Sequence, residues 1–156
     1  MKHLKRVLMI CLCLVSVVAL TGCGNKKAIT AEEFKSKMEK DNYEVQDATY
    51  QMSQYKQIKK IYIALDKKKS EQIEFYVLSS EDKAIDFFKV NQKIFKDSIG
   101  SSHTETNVSI GNTSRYVLNT DGRYKVLSRI GNTVVYCNVS SSYKDTLNKE
   151  LKKLNY

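Results

Sequence analysis

An α+β fold on a mainly antiparallel sheet is what three features of this sequence predict. Runs of alternating apolar and polar residues recur along the chain. Short turns at Gly111-Asn112, Thr120-Asp121-Gly122 and Gly131-Asn132 separate several of them, and such turns supply the positive φ that tight hairpins need. Amphipathic helical stretches interrupt the strand runs only three times, without the repeated crossovers of a parallel sheet. The expected order is helix, three strands, helix, four strands, helix. With hairpins setting the sheet, the helices are expected on one face, in two layers.

The elements follow from local chemistry. Thr30-Ala31-Glu32-Glu33 reads as a capping box, in which Thr30 accepts from the Glu33 backbone and Glu33 reaches back. Phe34 and Met38, four apart, give the helix from Thr30 to Lys40 its apolar side. Asp41-Asn42 ends it. Tyr43 to Asp47 is a short strand, and Ala48 to Gln57 is loop. Lys60 to Asp66 and Gln72 to Leu78 alternate and form a hairpin around Asp66-Lys67-Lys68-Lys69-Ser70. Ile61, Ile63 and Leu65, with Ile73, Phe75 and Val77, are expected to face the helices. Tyr62 and Tyr76 are then expected on an open face.

Ser79-Ser80-Glu81-Asp82 caps the longest helix. Ala84, Ile85, Phe87, Phe88, Ile94, Phe95 and Ile99 recur along it at helical spacing, up to a stop at Gly100. Burying a Phe or Ile contributes ~1.5–3 kcal/mol, so this face is expected at the centre of the core. Glu105 to Ile110, Thr113 to Asn119, Arg123 to Ile130 and Thr133 to Val139 make a meander. Ile110-Gly111-Asn112-Thr113 recurs as Ile130-Gly131-Asn132-Thr133, which reads as one turn needed twice. Tyr143, Leu147, Leu151 and Leu154 stripe a last helix, and Lys149, Lys152 and Lys153 suit its C-terminal end.

The first residues are of another kind. Lys2, His3, Lys5 and Arg6 precede a charge-free run from Val7 to Leu20, the order of an export signal. That run is 14 residues, short of the ~20 that a spanning helix needs. It ends in Leu20-Thr21-Gly22-Cys23, which resembles the lipobox of bacterial lipoprotein precursors. The resemblance implies cleavage after Gly22 and a diacylglyceryl thioether on Cys23, an extracytoplasmic lipid anchor in the cell membrane. Two acyl chains hold firmly, at ~0.8 kcal/mol per buried CH₂. The organisation is then residues 1–22 as signal peptide, 23–29 as lipidated tether and 30–156 as one domain. The run from Tyr124 to Tyr136 and the lysine-rich terminal helix also resemble small lipoproteins of Gram-positive bacteria, a likeness that implies no particular activity.

Composition narrows the function classes. The 134 residues left after removing 1–22 are enough for one core. Of the 26 Lys+Arg the leader holds three, and of the 17 Asp+Glu none, so the mature side chains sum to 23 − 17 = +6. For an exported chain, an anionic envelope polymer or a protein partner is a better match than nucleic acid. Cys11 and Cys13 leave with the leader and Cys23 is acylated, so Cys137 alone remains and no disulfide forms within a monomeric mature chain. Cys137 is expected as a small core thiol.

Catalytic and ligand signatures are sparse. His103 is the mature chain's single histidine, and no serine sits in Gly-x-Ser-x-Gly. One histidine and one free cysteine do not make a metal site, the aspartates lack calcium-loop spacing, and no phosphate loop implies a cofactor. The sequence therefore reads as a membrane-anchored, non-catalytic binding or accessory domain. Tyr62 and Tyr76, with Lys67, Lys68 and Lys69 at the end of their hairpin, are the candidate binding surface. The alternatives are an envelope hydrolase using His103 with a serine or carboxylate, and a purely structural lipoprotein.

Overall fold

The computed structural model describes residues 25–156; the leader and Cys23 lie outside the described residues. In chain order the elements are α1 Ala31–Lys40, β1 Glu44–Asp47, β2 Ile58–Leu65, β3 Gln72–Leu78, α2 Glu81–Asp97, β4 His103–Ile110, β5 Thr113–Thr120, β6 Arg123–Ile130, β7 Thr133–Ser140 and α3 Lys144–Lys153. Short 3₁₀ turns occupy Tyr50–Met52 and Ser141–Tyr143. Every strand pairing is antiparallel, in the order β1-β2-β3-β7-β6-β5-β4. The fold is α+β. No described helix is long and apolar enough to cross a membrane.

The caps expected from sequence are formed. Thr30 Oγ1 accepts from Glu33 N at 3.1 Å while Glu33 Oε2 accepts from Thr30 N at 2.7 Å. Ser80 accepts from Lys83 N and starts α2. Gly111 and Gly131 both hold φ +55, a backbone that strains any residue with a Cβ. The two turns lie side by side, joined by Gly131 N donating to Asn112 O at 2.9 Å. The repeated motif is thus one turn used in adjacent hairpins.

The layering differs from expectation. The helices lie on both faces of the sheet, in three layers. On one face, Phe34 and Met38 of α1 and Leu147 and Leu151 of α3 pack on Tyr62, Ala64, Ile73, Phe75, Val126, Val135 and Cys137. On the other, Ala84, Phe88 and Phe95 of α2 pack on Ile61, Tyr76, Leu78, Tyr116, Leu118, Leu127 and Val134. Register is the cause. Tyr62 stands opposite Phe75, and Ile61 opposite Tyr76. Cross-strand partners share a face, so the expected grouping of Ile61 with Phe75 splits between the two sides. Neighbouring residues such as Ile61 and Tyr62, or Phe75 and Tyr76, are all buried. Strands apolar on both sides need cover on both sides. In β6, every residue after Arg123 is buried.

Two further points shape the surface. Strand β4 is exposed along its whole length, an edge whose polar sequence needs no cover. Residues 25–29, the described part of the expected tether, lie on the domain: Ile29 packs on the α1 and α3 core, and Lys26 bonds to Asn112.

Candidate functional site

Helix α2 presents more apolar surface than the sheet can cover. Ala84, Phe88 and Phe95 point at the strands. Phe87, Val90 and Ile94 form a second row at helical spacing, turned sideways. Ile94 was expected in the core stripe, yet it is 53% exposed, and Val90 is 60% exposed. A lone exposed Ile is ordinary; here Val90 and Ile94 are exposed together along one side of a groove.

The segment between β1 and β2 makes the opposing wall. Its start is fixed by Ala48 N donating to Ile61 O at 3.1 Å and Ile61 N donating to Thr49 Oγ1 at 3.1 Å. Its end is fixed by Ser79 N donating to Gln57 O at 2.8 Å. Between these ties, Met52, Tyr55 and Ile58 face Phe87, Val90 and Ile94 across a groove of ≈ 670 Å³. Gln57, Lys83, Asp86 and Asn91 complete its lining. The Asn91 amide is turned back onto Phe87 O at 2.8 Å, leaving the groove chiefly apolar. A volume of this order suits a drug-sized ligand or a few side chains of a partner (~300–1,000 Å³).

A smaller recess, of ≈ 330 Å³, is polar. Glu74 sits in it beside Arg123, Tyr136 and Asn138. Glu74 accepts from the Tyr76 hydroxyl and, at 2.7 Å, from Gln72 Nε2. Burial raises its pKa above the ordinary carboxylate value, against those hydrogen bonds, which lower it. Arg123 is engaged by Asn138, its Nε donating to Oδ1 at 3.0 Å. A half-buried carboxylate bonded by neutral donors has the character of a structural fixture, and it holds Tyr76 in place.

The residues singled out from sequence are not brought together. Tyr62 and Tyr76 lie on opposite faces and are 5% and 6% exposed, so the open tyrosine face is corrected: neither ring is on a surface. Tyr62 donates to Glu32 Oε1 at 2.7 Å and lies under Lys60, whose Nζ is 4.8 Å from the ring centroid. Tyr76 packs on Phe87, with ring centroids 4.6 Å apart. Lys67, Lys68 and Lys69 are exposed at the β2–β3 turn. Asp66 organises that turn by accepting from Ser70 N and Glu71 N, and Lys69 pairs with Glu44 at 2.6 Å.

His103 opens the exposed edge strand β4. It borders a shallow hollow with Ser102, Asp121 and Ser141. Ser141 Oγ donates to Asn119 Oδ1; among the described residues no hydrogen bond joins His103 to a serine or carboxylate. Cys137 is a free, buried thiol whose pKa burial pushes up, as expected for a core position. No cluster of metal-ligating side chains occurs among the described residues. The sequence did carry a signal for the groove: Val90 falls off the Ala84–Phe88–Phe95 stripe, on a face that the sheet cannot reach.

No family model and no curated protein matches the chain. One similar solved structure is the extracellular domain of PknH from Mycobacterium tuberculosis, at 12% identity and a TM-score of 0.41, covering 82% of this chain and 92% of that one. At that score the likeness bears on neither activity nor partner.

Proposed function

We propose that this protein is an extracytoplasmic lipoprotein, held to the membrane by a diacylglyceryl group on Cys23, whose domain binds an apolar segment of an envelope protein. The anchor reading is supported by the leader and the Leu20-Thr21-Gly22-Cys23 motif. The binding reading is carried by one observation, the groove between α2 and the 48–58 segment, with Val90 and Ile94 more than half exposed within it. A binding domain needs a preformed apolar recess with a few polar groups to orient its ligand, and Lys83 and Asp86 stand beside this one. An anionic envelope polymer held by Lys67 and Lys68 is the competing partner.

The test is site-specific photo-crosslinking in the native membrane. A photoreactive side chain replaces Ile94 in the groove or, as control, Lys89, which is exposed on the same helix. A discrete adduct at position 94 that is absent at 89 is the expected result. No adduct at 94, or the same adducts at both positions, contradicts the groove as the binding site.

A further inference from the structure

The two Gly-Asn turns share more than a backbone. Asn132 pairs with β3 where it leaves the sheet: Leu78 N donates to Asn132 O at 2.9 Å, and Asn132 Nδ2 donates to Leu78 O at 3.0 Å. Asn112 treats Lys26 in the same way through its side chain alone. Lys26 N donates to Asn112 Oδ1 at 2.9 Å, and Asn112 Nδ2 donates to Lys26 O at 2.8 Å. Both backbone groups of one residue are thereby satisfied, as a neighbouring strand would satisfy them. A third bond, from Lys26 Nζ to Asn155 O at 2.6 Å, ties the same residue to the chain's last turn.

These bonds fix where the chain enters the domain. It enters at the sheet end that carries the 110–113 and 130–133 turns. Asn25 lies beside Gly111, with its Oδ1 3.6 Å from where a Cβ on that glycine would stand. Two peptide units separate Cys23 from Asn25, at most ~7 Å of chain. We infer that Asn112 clamps the tether, so that the lipidated protein rests on the bilayer by this turn end and holds a fixed orientation. The inference rests on the Cys23 anchor proposed above.

The end so placed suits a lipid interface. Ile110, next to the clamp, is 65% exposed, and Val108 on the same side of β4 is 47% exposed. Apolar side chains at a headgroup boundary gain by burial. The β2–β3 turn lies at the other end of the sheet. Seven residues of β3 at ~3.3 Å each set it ~20–25 Å from the bilayer side. The Debye length is ~8 Å at physiological salt. Lys67, Lys68 and Lys69 therefore stand beyond the reach of headgroup charge.

The chain has no tryptophan, so a single introduced one reports without background. The lipidated protein, its acyl mass checked first, is placed in phosphatidylglycerol–phosphatidylethanolamine vesicles with brominated acyl chains. Tryptophan emission is read in Ile110→Trp and, separately, in Lys68→Trp. The clamp requires strong quenching at position 110 and almost none at 68. Adding Asn112→Ala should reduce the difference between the two and speed amide exchange at Lys26. Equal quenching at both positions in an acylated protein overturns the fixed orientation and leaves the anchor standing. Unchanged Lys26 exchange in Asn112→Ala overturns the clamp. Absence of acyl mass overturns the anchor and the docking with it.

Discussion

Phe95→Ala and Ile94→Ala are adjacent substitutions on one helix, and the structure expects very different costs. Phe95 is 1% exposed. Its ring centroid lies 5.0 Å from that of Tyr136 and 6.4 Å from that of Tyr116, and Lys125 Nζ sits 5.6 Å from it. Burial of such a side chain contributes ~1.5–3 kcal/mol. Truncation also leaves a cavity, which brings the usual Phe→Ala loss to ~3–5 kcal/mol. Each aromatic pair adds ~0.5–1.5 kcal/mol beyond burial, so the upper half of that range is expected. Against a total stability of ~5–15 kcal/mol, this is a large share. Ile94 already has half its surface in water, and its loss should stay within ~0.5 kcal/mol. Urea melts of the soluble domain, followed by far-UV circular dichroism and by the near-UV tyrosine signal, measure both. A loss below ~1 kcal/mol for Phe95→Ala, or equal losses for the two variants, would refute the assigned helix face.

Four other outcomes follow from local chemistry. Burial raises the Glu74 pKa, so the fold favours its protonated form; that contribution is present below the ordinary carboxylate pKa and is lost as pH rises through the raised one. Glu74→Gln should therefore be near neutral at about pH 4 and stabilising at about pH 8, read from denaturant midpoints at the two values. Arg129 is 3% exposed and bonds Glu81 Oε1 at 2.8 Å and Gly131 O at 3.0 Å. Glu81→Ala strands that charge, and water at half-exposed Glu81 limits the cost to ~1–2 kcal/mol; the double variant with Arg129→Met should lose less than Glu81→Ala alone. Thr30→Ala removes the α1 cap and should cost ~1 kcal/mol, measured by the same melts. Cys137 is fully buried with a raised thiol pKa, so a thiol reagent should label the soluble domain only after urea unfolds it.

Local chemistry was legible in the sequence, and spatial arrangement was not. The Thr30–Glu33 box, the Ser80 cap and the bounds of β3 and β6 depend on neighbouring residues, and each forms as read. The β2–β3 hairpin was also read correctly, but its register was not. Which of Phe75 and Tyr76 faces Tyr62 depends on how the 66–71 turn closes, and a shift of one residue reverses every face. That ambiguity produced the exposed tyrosine pair; the two-layer expectation came from taking the sheet to need cover on one face only, whereas β6 is buried on both. A second limit appears in α2. Helical spacing groups Phe87, Ile94 and Phe95 as one broad apolar face. Only the width of the sheet beneath decides that Phe95 is covered and Ile94 is left at the groove. The Lys26–Asn112 bonds, between residues 86 positions apart, leave no local pattern at all.

Both the location of the binding domain and its docked orientation follow from the anchor. Intact-mass measurement of the protein extracted from its own membranes tests it directly. The expected result is a chain that begins at Cys23 and carries a diacylglyceryl mass, with Cys23→Ala left unprocessed or released from the membrane. A membrane-extracted chain that begins anywhere else, or that carries no acyl mass, would contradict it.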